Sequence, residues 1–175
     1  MVLTDKFELP TIEELTVPEI NLTFPTLQAA AHHLGKYCEW KNHEFMLCKY
    51  EEEDARKCVK EGKDVTACSL EFFQKLKKHC RKEFDQYANC IDKSSGSSSF
   101  APCRKTQSVF DKCVLDNLGQ ERPGYGYFCE AKVHETSRPK PTYNAPEFPN
   151  AAAPMTTDEP LLPPRYGSRR VTTAN

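Results

Sequence analysis

CEWKNHEFMLC (residues 38–48) is the first of four segments that each begin and end with a cysteine. The others are CVKEGKDVTAC (58–68), CRKEFDQYANC (80–90) and CRKTQSVFDKC (103–113), and nine residues separate the two cysteines in every segment. An apolar side chain stands seven positions after each first cysteine, namely Phe45, Val65, Tyr87 and Phe110. Steps of seven and three place all three residues on one face of a helix. The sequence therefore predicts four helices, each with two thiols and one large apolar side chain on its buried face.

Helix geometry limits how these cysteines can pair. Ten residues of helix span about 15 Å, whereas a disulfide needs Cα atoms roughly 4.4–6.8 Å apart, so the two cysteines of one helix cannot bond each other. When two successive helices fold back antiparallel, the two cysteines nearest the turn come together, and so do the two cysteines farthest from it. The segments that connect the helices are too short for a parallel arrangement. We therefore predict two nested sets of bridges: Cys48–Cys58 inside Cys38–Cys68, and Cys90–Cys103 inside Cys80–Cys113.

The cysteine content indicates a disulfide framework. Roughly 80 residues lie between Tyr37 and Leu118, which is small for a core without covalent support. Eight of the nine cysteines belong to the regular pattern, and their spacing differs from the Cys-x2–4-Cys knuckles of zinc sites. Each bridge contributes about 3–4 kcal/mol in the loop-entropy description. Disulfides in turn imply an oxidising compartment.

The N-terminal residues favour the mitochondrial intermembrane space as that compartment. Residues 1–8 have neither the apolar region nor the basic region of a secretory signal, and acidic residues up to Glu19 argue against a matrix transit peptide. No apolar run approaches the length of a membrane span. The net charge of −1 is not that of a nucleic-acid binder.

The chain is predicted to be all-α, with two disulfide-stapled antiparallel hairpins between extended, largely irregular arms. Its four predicted parts are an N-terminal arm with a short helix (1–36), the first hairpin (37–70), the second hairpin (71–119) and a proline-rich tail (120–175). Thr11-Ile12-Glu13-Glu14 is typical of a helix capping box. A helix is predicted from Thr26 to Tyr37, with Gly35 expected to weaken or end it, and Gly119 is predicted to end the last helix. Gly62 is expected to interrupt the helix of the second segment.

The tail contains nine of the thirteen prolines. It is expected to be extended and without a core, with disorder as the alternative. Four aromatic residues are candidates to anchor it across a partner: Tyr127, Phe128, Tyr143 and Phe148. Cys129 is the ninth cysteine and is predicted to be a free thiol, with an intermolecular link as the less favoured alternative.

Catalytic motifs are absent from the sequence. It has no glycine-rich phosphate loop, no Cys-x-x-Cys redox motif and no adjacent cysteines of the kind that a copper carrier uses. Cys129 with His134 is a weak candidate for a nucleophile and its base, since no scaffold is predicted to hold them. His32 and His33 are interpreted as surface or packed imidazoles; a metal site with Cys38 is the disfavoured alternative.

A basic cluster follows the second segment: Lys75, Lys77, Lys78, Arg81 and Lys82. A solvated helix face is the favoured interpretation. The alternative is contact with an acidic protein surface or with anionic lipid head groups.

The doubled Cys-x9-Cys pattern resembles the coiled-coil-helix-coiled-coil-helix (CHCH) family of the intermembrane space. An aromatic residue three positions before a second cysteine resembles the family's import signal, which the Mia oxidative import machinery recognises. Phe45, Tyr87 and Phe110 match this signal, whereas Val65 departs from it because it lacks a ring.

Further motifs resemble a family of accessory subunits of mitochondrial respiratory complex I: Glu8-Leu9-Pro10-Thr11, Ala29-Ala30-Ala31-His32-His33, Glu44-Phe45-Met46-Leu47-Cys48, Phe72-Phe73 and Cys113-Val114-Leu115-Asp116. The resemblance implies a non-catalytic subunit on the intermembrane-space face of the membrane arm. Such a subunit binds other subunits of that arm and holds no cofactor or metal. An assembly factor or metal carrier of the same twin Cys-x9-Cys class is the alternative function, and an enzyme that uses thiol exchange at Cys129 is a third.

Overall fold

The computed structural model describes residues 9–94 and 96–142, and these residues form six α-helices without any β-strand. The helices are α1 (Ile12–Leu15), α2 (Phe24–Tyr37), α3 (Glu39–Glu52), α4 (Val59–His79), α5 (Arg81–Ser94) and α6 (Arg104–Leu118). Short 3-10 turns lie at Ala55–Cys58, Ala101–Cys103 and Tyr127–Cys129. The predicted all-α class with stapled hairpins is confirmed.

The helices fold back on one another as two hairpins. The first hairpin consists of α3 and α4, and the second consists of α5 and α6. The predicted boundary between residues 70 and 71 falls inside α4, which runs unbroken for 21 residues. Because α4 also contacts α5 and α6, its second half connects the two hairpins. The division into four parts stays a prediction, and most of the predicted tail lies outside the described residues.

The apolar core is concentrated on the second hairpin. Its largest buried side chains come from α4, α5 and α6: Phe72, Leu76, Tyr87, Ile91, Phe110 and Val114. In α3, by contrast, Cys48 is the single buried residue. The first hairpin therefore depends on its covalent links and on polar contacts far more than the second hairpin does.

The helix α2 is part of this core, although the sequence placed it in an arm. Ala29 and Ala30 are almost fully buried, and α2 packs mainly against α5. The helix α2 ends at Tyr37, which is the predicted end, so Gly35 does not terminate it. Gly35 instead provides space, since a Cβ atom added there would lie 3.0 Å from the ring of Phe128.

Other helix signals have mixed outcomes. The capping box is confirmed, because the Glu14 amide donates to Thr11 Oγ1 at 3.2 Å while the Thr11 amide donates to Glu14 Oε2 at 2.8 Å. Gly119 ends α6 in the left-handed conformation, with φ of 66°. The expected interruption at Gly62 is wrong. One interior glycine costs only about 1 kcal/mol of helix propensity, and a Cβ atom added here would make an ordinary van der Waals contact with the ring of Phe45, at 3.5 Å.

Candidate functional site

Four disulfides hold the two hairpins closed. The Cα atoms are 6.0 Å apart in Cys38–Cys68 and 5.9 Å apart in Cys48–Cys58. The corresponding distances are 5.9 Å in Cys80–Cys113 and 5.8 Å in Cys90–Cys103. These pairs have the nested order derived from helix geometry, with all four distances in the usual range for a disulfide.

The aromatic residues of the cysteine segments have different environments. Tyr87 and Phe110 are fully buried, and their stacked rings lie 5.8 Å apart between centroids. Phe45 is half-buried and faces Gly62 across the first hairpin. An import receptor could therefore contact Tyr87 and Phe110 only before the second hairpin closes. The import-signal role of all three aromatics stays a prediction.

A buried polar cluster joins α2 to α6. His33 is fully buried, and its Nε2 atom lies 2.7 Å from Asp111 Oδ1. Arg122 Nη1 donates to the same oxygen at 3.2 Å, and Gln107 Nε2 donates to Asp111 Oδ2 at 3.2 Å. Three donors thus surround one carboxylate, which is the arrangement that a partly buried charge requires. The outcome supports the interpretation of His33 as a packed imidazole.

These partners determine the protonation of Asp111. Burial would raise the pKa of this carboxyl, but the hydrogen bond from His33 and the charge of Arg122 outweigh burial and hold the pKa below its ordinary value. Burial and the nearby Arg122 charge also lower the pKa of His32. Asp111 is therefore an anion at neutral pH, in the position that fixes α2 against α6.

Residues 120–138 follow α6 and turn back over α2 and α3; we name them the return segment. Gln120 Nε2 donates to the carbonyl of His33 at 2.6 Å, and Lys36 Nζ donates to the carbonyl of Glu121 at 3.1 Å. The ring of Phe128 lies over Gly35. The aromatic start of the predicted tail thus contacts the protein's own helices. Tyr143 and Phe148 lie outside the described residues.

Three carboxylates along α3 bind the return segment. Glu39 accepts from Tyr127 Oη at 2.7 Å and from Lys132. The bonds from Lys132 and Tyr127 lower the pKa of Glu39. We name Glu39, Glu44 and Glu51 the carboxylate row.

Glu44 and Glu51, the other two members of the carboxylate row, also contact the return segment. Glu44 lies 2.8 Å from His134 Nε2 and accepts from Thr136 Oγ1 at 3.0 Å. Burial alone would raise the pKa of Glu44, but the bonds from His134 and Thr136 lower it overall. Glu51 lies 3.4 Å from Arg138 Nη2. The return segment therefore crosses the first hairpin, which has the smaller apolar core.

The other candidate residues do not form a reactive site. Cys129 is an exposed free thiol, and His134 bonds to Glu44 instead of to this thiol. Within residues 9–94 and 96–142, no three metal-ligating side chains come together. None of the helices in these ranges is long and apolar enough to cross a bilayer.

Two members of the basic cluster have ion-pair partners, Lys75 with Glu71 and Arg81 with Asp85. Lys75 Nζ lies 2.7 Å from Glu71 Oε1 and also bonds to Tyr37, and these two bonds raise the pKa of Lys75. Lys77 and Lys78 are exposed at the end of α4. The cluster is therefore mostly a solvated face, as the sequence indicates, but Lys77 and Arg81 also border a groove beside the junction of α4 and α5.

The two disulfide-locked hairpins define the class of this protein: it is a twin Cys-x9-Cys helical-hairpin protein. No model of a protein family matches the chain. Individual proteins do match. NADH dehydrogenase [ubiquinone] 1 alpha subcomplex subunit 8-B of Arabidopsis thaliana is 37% identical over 94 residues, which are 53% of this chain and 87% of that protein. The chain therefore belongs to the family of NADH dehydrogenase [ubiquinone] 1 alpha subcomplex subunit 8.

Two further relatives agree with this assignment. Subunit 8-A of Arabidopsis thaliana is also 37% identical over 94 residues, covering 53% of this chain and 85% of the relative. The NADH-ubiquinone oxidoreductase 20.8 kDa subunit of Neurospora crassa is 31% identical over 108 residues. That match covers 61% of this chain and 58% of the fungal protein.

Proposed function

We propose that this chain is a structural accessory subunit of mitochondrial NADH:ubiquinone oxidoreductase, with other subunits of that complex as its partners. The observation that carries the proposal is the match to subunit 8-B over 87% of the length of that relative. The structure is consistent with a supporting role, because its buried ionic groups fasten α2, α6 and the return segment together. These contacts join parts of the chain that are distant in sequence.

The finer proposal is that the chain is non-catalytic and braces the membrane arm on its intermembrane-space face. Four disulfides support this location, because such bonds persist in an oxidising compartment. We further infer that the Mia machinery introduces these bonds during biogenesis. The aromatic residues at the matching positions of three cysteine segments, Phe45, Tyr87 and Phe110, support that route.

The proposal is tested by depleting the chain from mitochondria and restoring it with a tagged full-length copy. We expect the tag to co-migrate with the assembled oxidoreductase on a native gel, and depletion to reduce the amount of assembled complex. NADH oxidation per assembled complex should stay unchanged, because a bracing subunit affects the quantity of complex and not its turnover.

Two other outcomes would contradict the proposal. A chain found only as a free monomer would exclude a subunit role. Association only with incomplete complexes, or stoichiometric copper or zinc in the purified chain, would favour the assembly factor or metal carrier.

A further inference from the structure

An open groove of about 480 Å³ lies beside the junction of α4 and α5. Leu70, Phe73 and Phe84 contribute apolar side chains from the two helices, and Ile20 and Leu22 contribute from the segment that precedes α2. Phe73 and Phe84 connect this surface to the core. The volume is in the range of sites that hold one small ligand.

The groove has its two cations at one end. The lining is otherwise mainly apolar and also includes the neutral polar residues Asn21, Thr26 and Gln74. One face of α4 presents, over about 10 Å, Leu70, Phe73 and Lys77 in that order. Lys77 comes last, near the end of α4, and Arg81 opens α5 immediately after the junction. The two cations are therefore at the junction end, while the apolar side chains of α4 extend away from it.

These two cations are available to a ligand. Lys77 has no ion-pair partner among the residues that the structure describes. Within the described part of the chain, Arg81 pairs only with Asp85, at 3.7 Å, and both side chains are more than half exposed. An exposed pair of this kind is weak, so an anionic group can displace it. With Asp85 as the one carboxylate in the lining, the junction end has an excess of positive charge.

We propose that this groove binds one acyl chain of an anionic phospholipid, with the phosphate at Lys77 and Arg81. The proposal rests on the proposed function for one point only, which is that an inner membrane is close to the protein. An amphiphile with an anionic head and an alkyl chain matches the order of cations and apolar residues along the groove. A helix of a neighbouring protein fits less well, because it needs apolar anchors over several turns.

The first test uses the full-length oxidised chain and vesicles of phosphatidylcholine with or without phosphatidylglycerol. We expect binding only when phosphatidylglycerol is present, and a loss of affinity of about tenfold or more in Lys77→Gln/Arg81→Gln. The matched control is Lys78→Gln/Lys82→Gln, which removes the same charge outside the groove. This control should lose affinity by no more than about threefold. An equal loss in both variants, or no binding by the wild type, would overturn the proposal.

The second test locates the acyl chain. Phosphatidylglycerol with a diazirine in its acyl chain should label residues 20–22 and 70–84 on illumination, and Leu22→Glu should abolish this labelling. Leu22 is 40% exposed, so the variant keeps the fold, which circular dichroism verifies. Labelling elsewhere, or cross-linking of the groove to another protein in the assembled complex, would overturn the proposal. Vesicle binding is measured on the isolated chain, whereas co-migration on the native gel is measured on the assembled complex. A failure of the lipid proposal therefore does not change co-migration, and a loss of co-migration does not change vesicle binding.

Discussion

His33 on α2 and Asp111 on α6 lie 2.7 Å apart although 78 positions separate them in the sequence. Arg122, at the start of the return segment, bonds to the same carboxylate. One anion therefore holds together three parts of the chain that are distant in sequence. Together with the burial of Ala29 and Ala30 against α5, this contact makes α2 an integral part of the core instead of a loose arm.

Replacing Asp111 should destabilise the whole second hairpin. Asp111→Ala leaves His33 and Arg122 without their shared acceptor, and an unpaired buried polar group costs about 1–3 kcal/mol, or more when it is charged. We expect the free energy of unfolding to fall by about 2–3 kcal/mol in urea denaturation followed by circular dichroism. Asp116→Ala, on the exposed side of α6, is the control and should change stability by less than about 0.5 kcal/mol. Equal effects of the two substitutions would contradict the role of Asp111.

The contribution of Asp111 should depend on pH in a defined direction. Its pKa is lower in the folded protein than in the unfolded chain, so its stabilising effect is complete above the unfolded value of about 3.9. The effect is lost as the pH falls through the folded value, where the carboxylate becomes protonated. We therefore expect the stability difference between wild type and Asp111→Asn to be constant near neutrality and to shrink below about pH 4. A difference that grows in acid would contradict this assignment.

The outer disulfides of the two hairpins should differ in how much local helix structure depends on them. Cys38–Cys68 and Cys80–Cys113 join residues 30 and 33 positions apart, so each removal costs a similar amount, about 3–4 kcal/mol. The first hairpin has little apolar core, and Cys38→Ser/Cys68→Ser should therefore abolish most hydrogen-exchange protection of α3. The helices α5 and α6 should stay protected in this variant. Equal loss of protection across both hairpins would contradict the uneven core.

The return segment should loosen when the carboxylate row is interrupted. Glu44 binds both His134 and Thr136, and Glu44→Gln removes the negative charge that holds them. We expect trypsin to cleave after Lys132 several-fold faster in this variant, as followed by mass spectrometry. Glu53→Gln, at the exposed position that follows α3, is the control and should cleave at the wild-type rate. An unchanged rate in Glu44→Gln would show that other contacts hold the segment.

Spacing predicts covalent architecture well in this chain. The residue spacing found between Cys38 and Cys48 recurs in all four cysteine segments. This repeated spacing predicts the helices, their antiparallel arrangement and the nested order of the disulfides. Capping at Thr11 and termination at Gly119 are likewise local, because the residues that make them are neighbours in sequence.

Long-range polar contacts have no such local signal. The contact between Glu44 and His134 joins residues 90 positions apart, and neither residue has a periodic context that marks a partner. Neither Gly35 nor Gly62 ends its helix, because tertiary packing outweighs the low helix propensity of one glycine. At Gly35 the absent side chain also leaves space for the ring of Phe128, which only the folded chain brings close.

Peptide mapping of the mature protein without reduction tests the central claim most directly. Lys or Arg residues lie between every two successive cysteines from Cys38 to Cys113, so trypsin places each of the eight on a separate peptide after free thiols are blocked. The account predicts four linked peptide pairs, Cys38 with Cys68, Cys48 with Cys58, Cys80 with Cys113 and Cys90 with Cys103, and a blocked thiol at Cys129. Eight blocked thiols, or linked pairs in any other order, would contradict it.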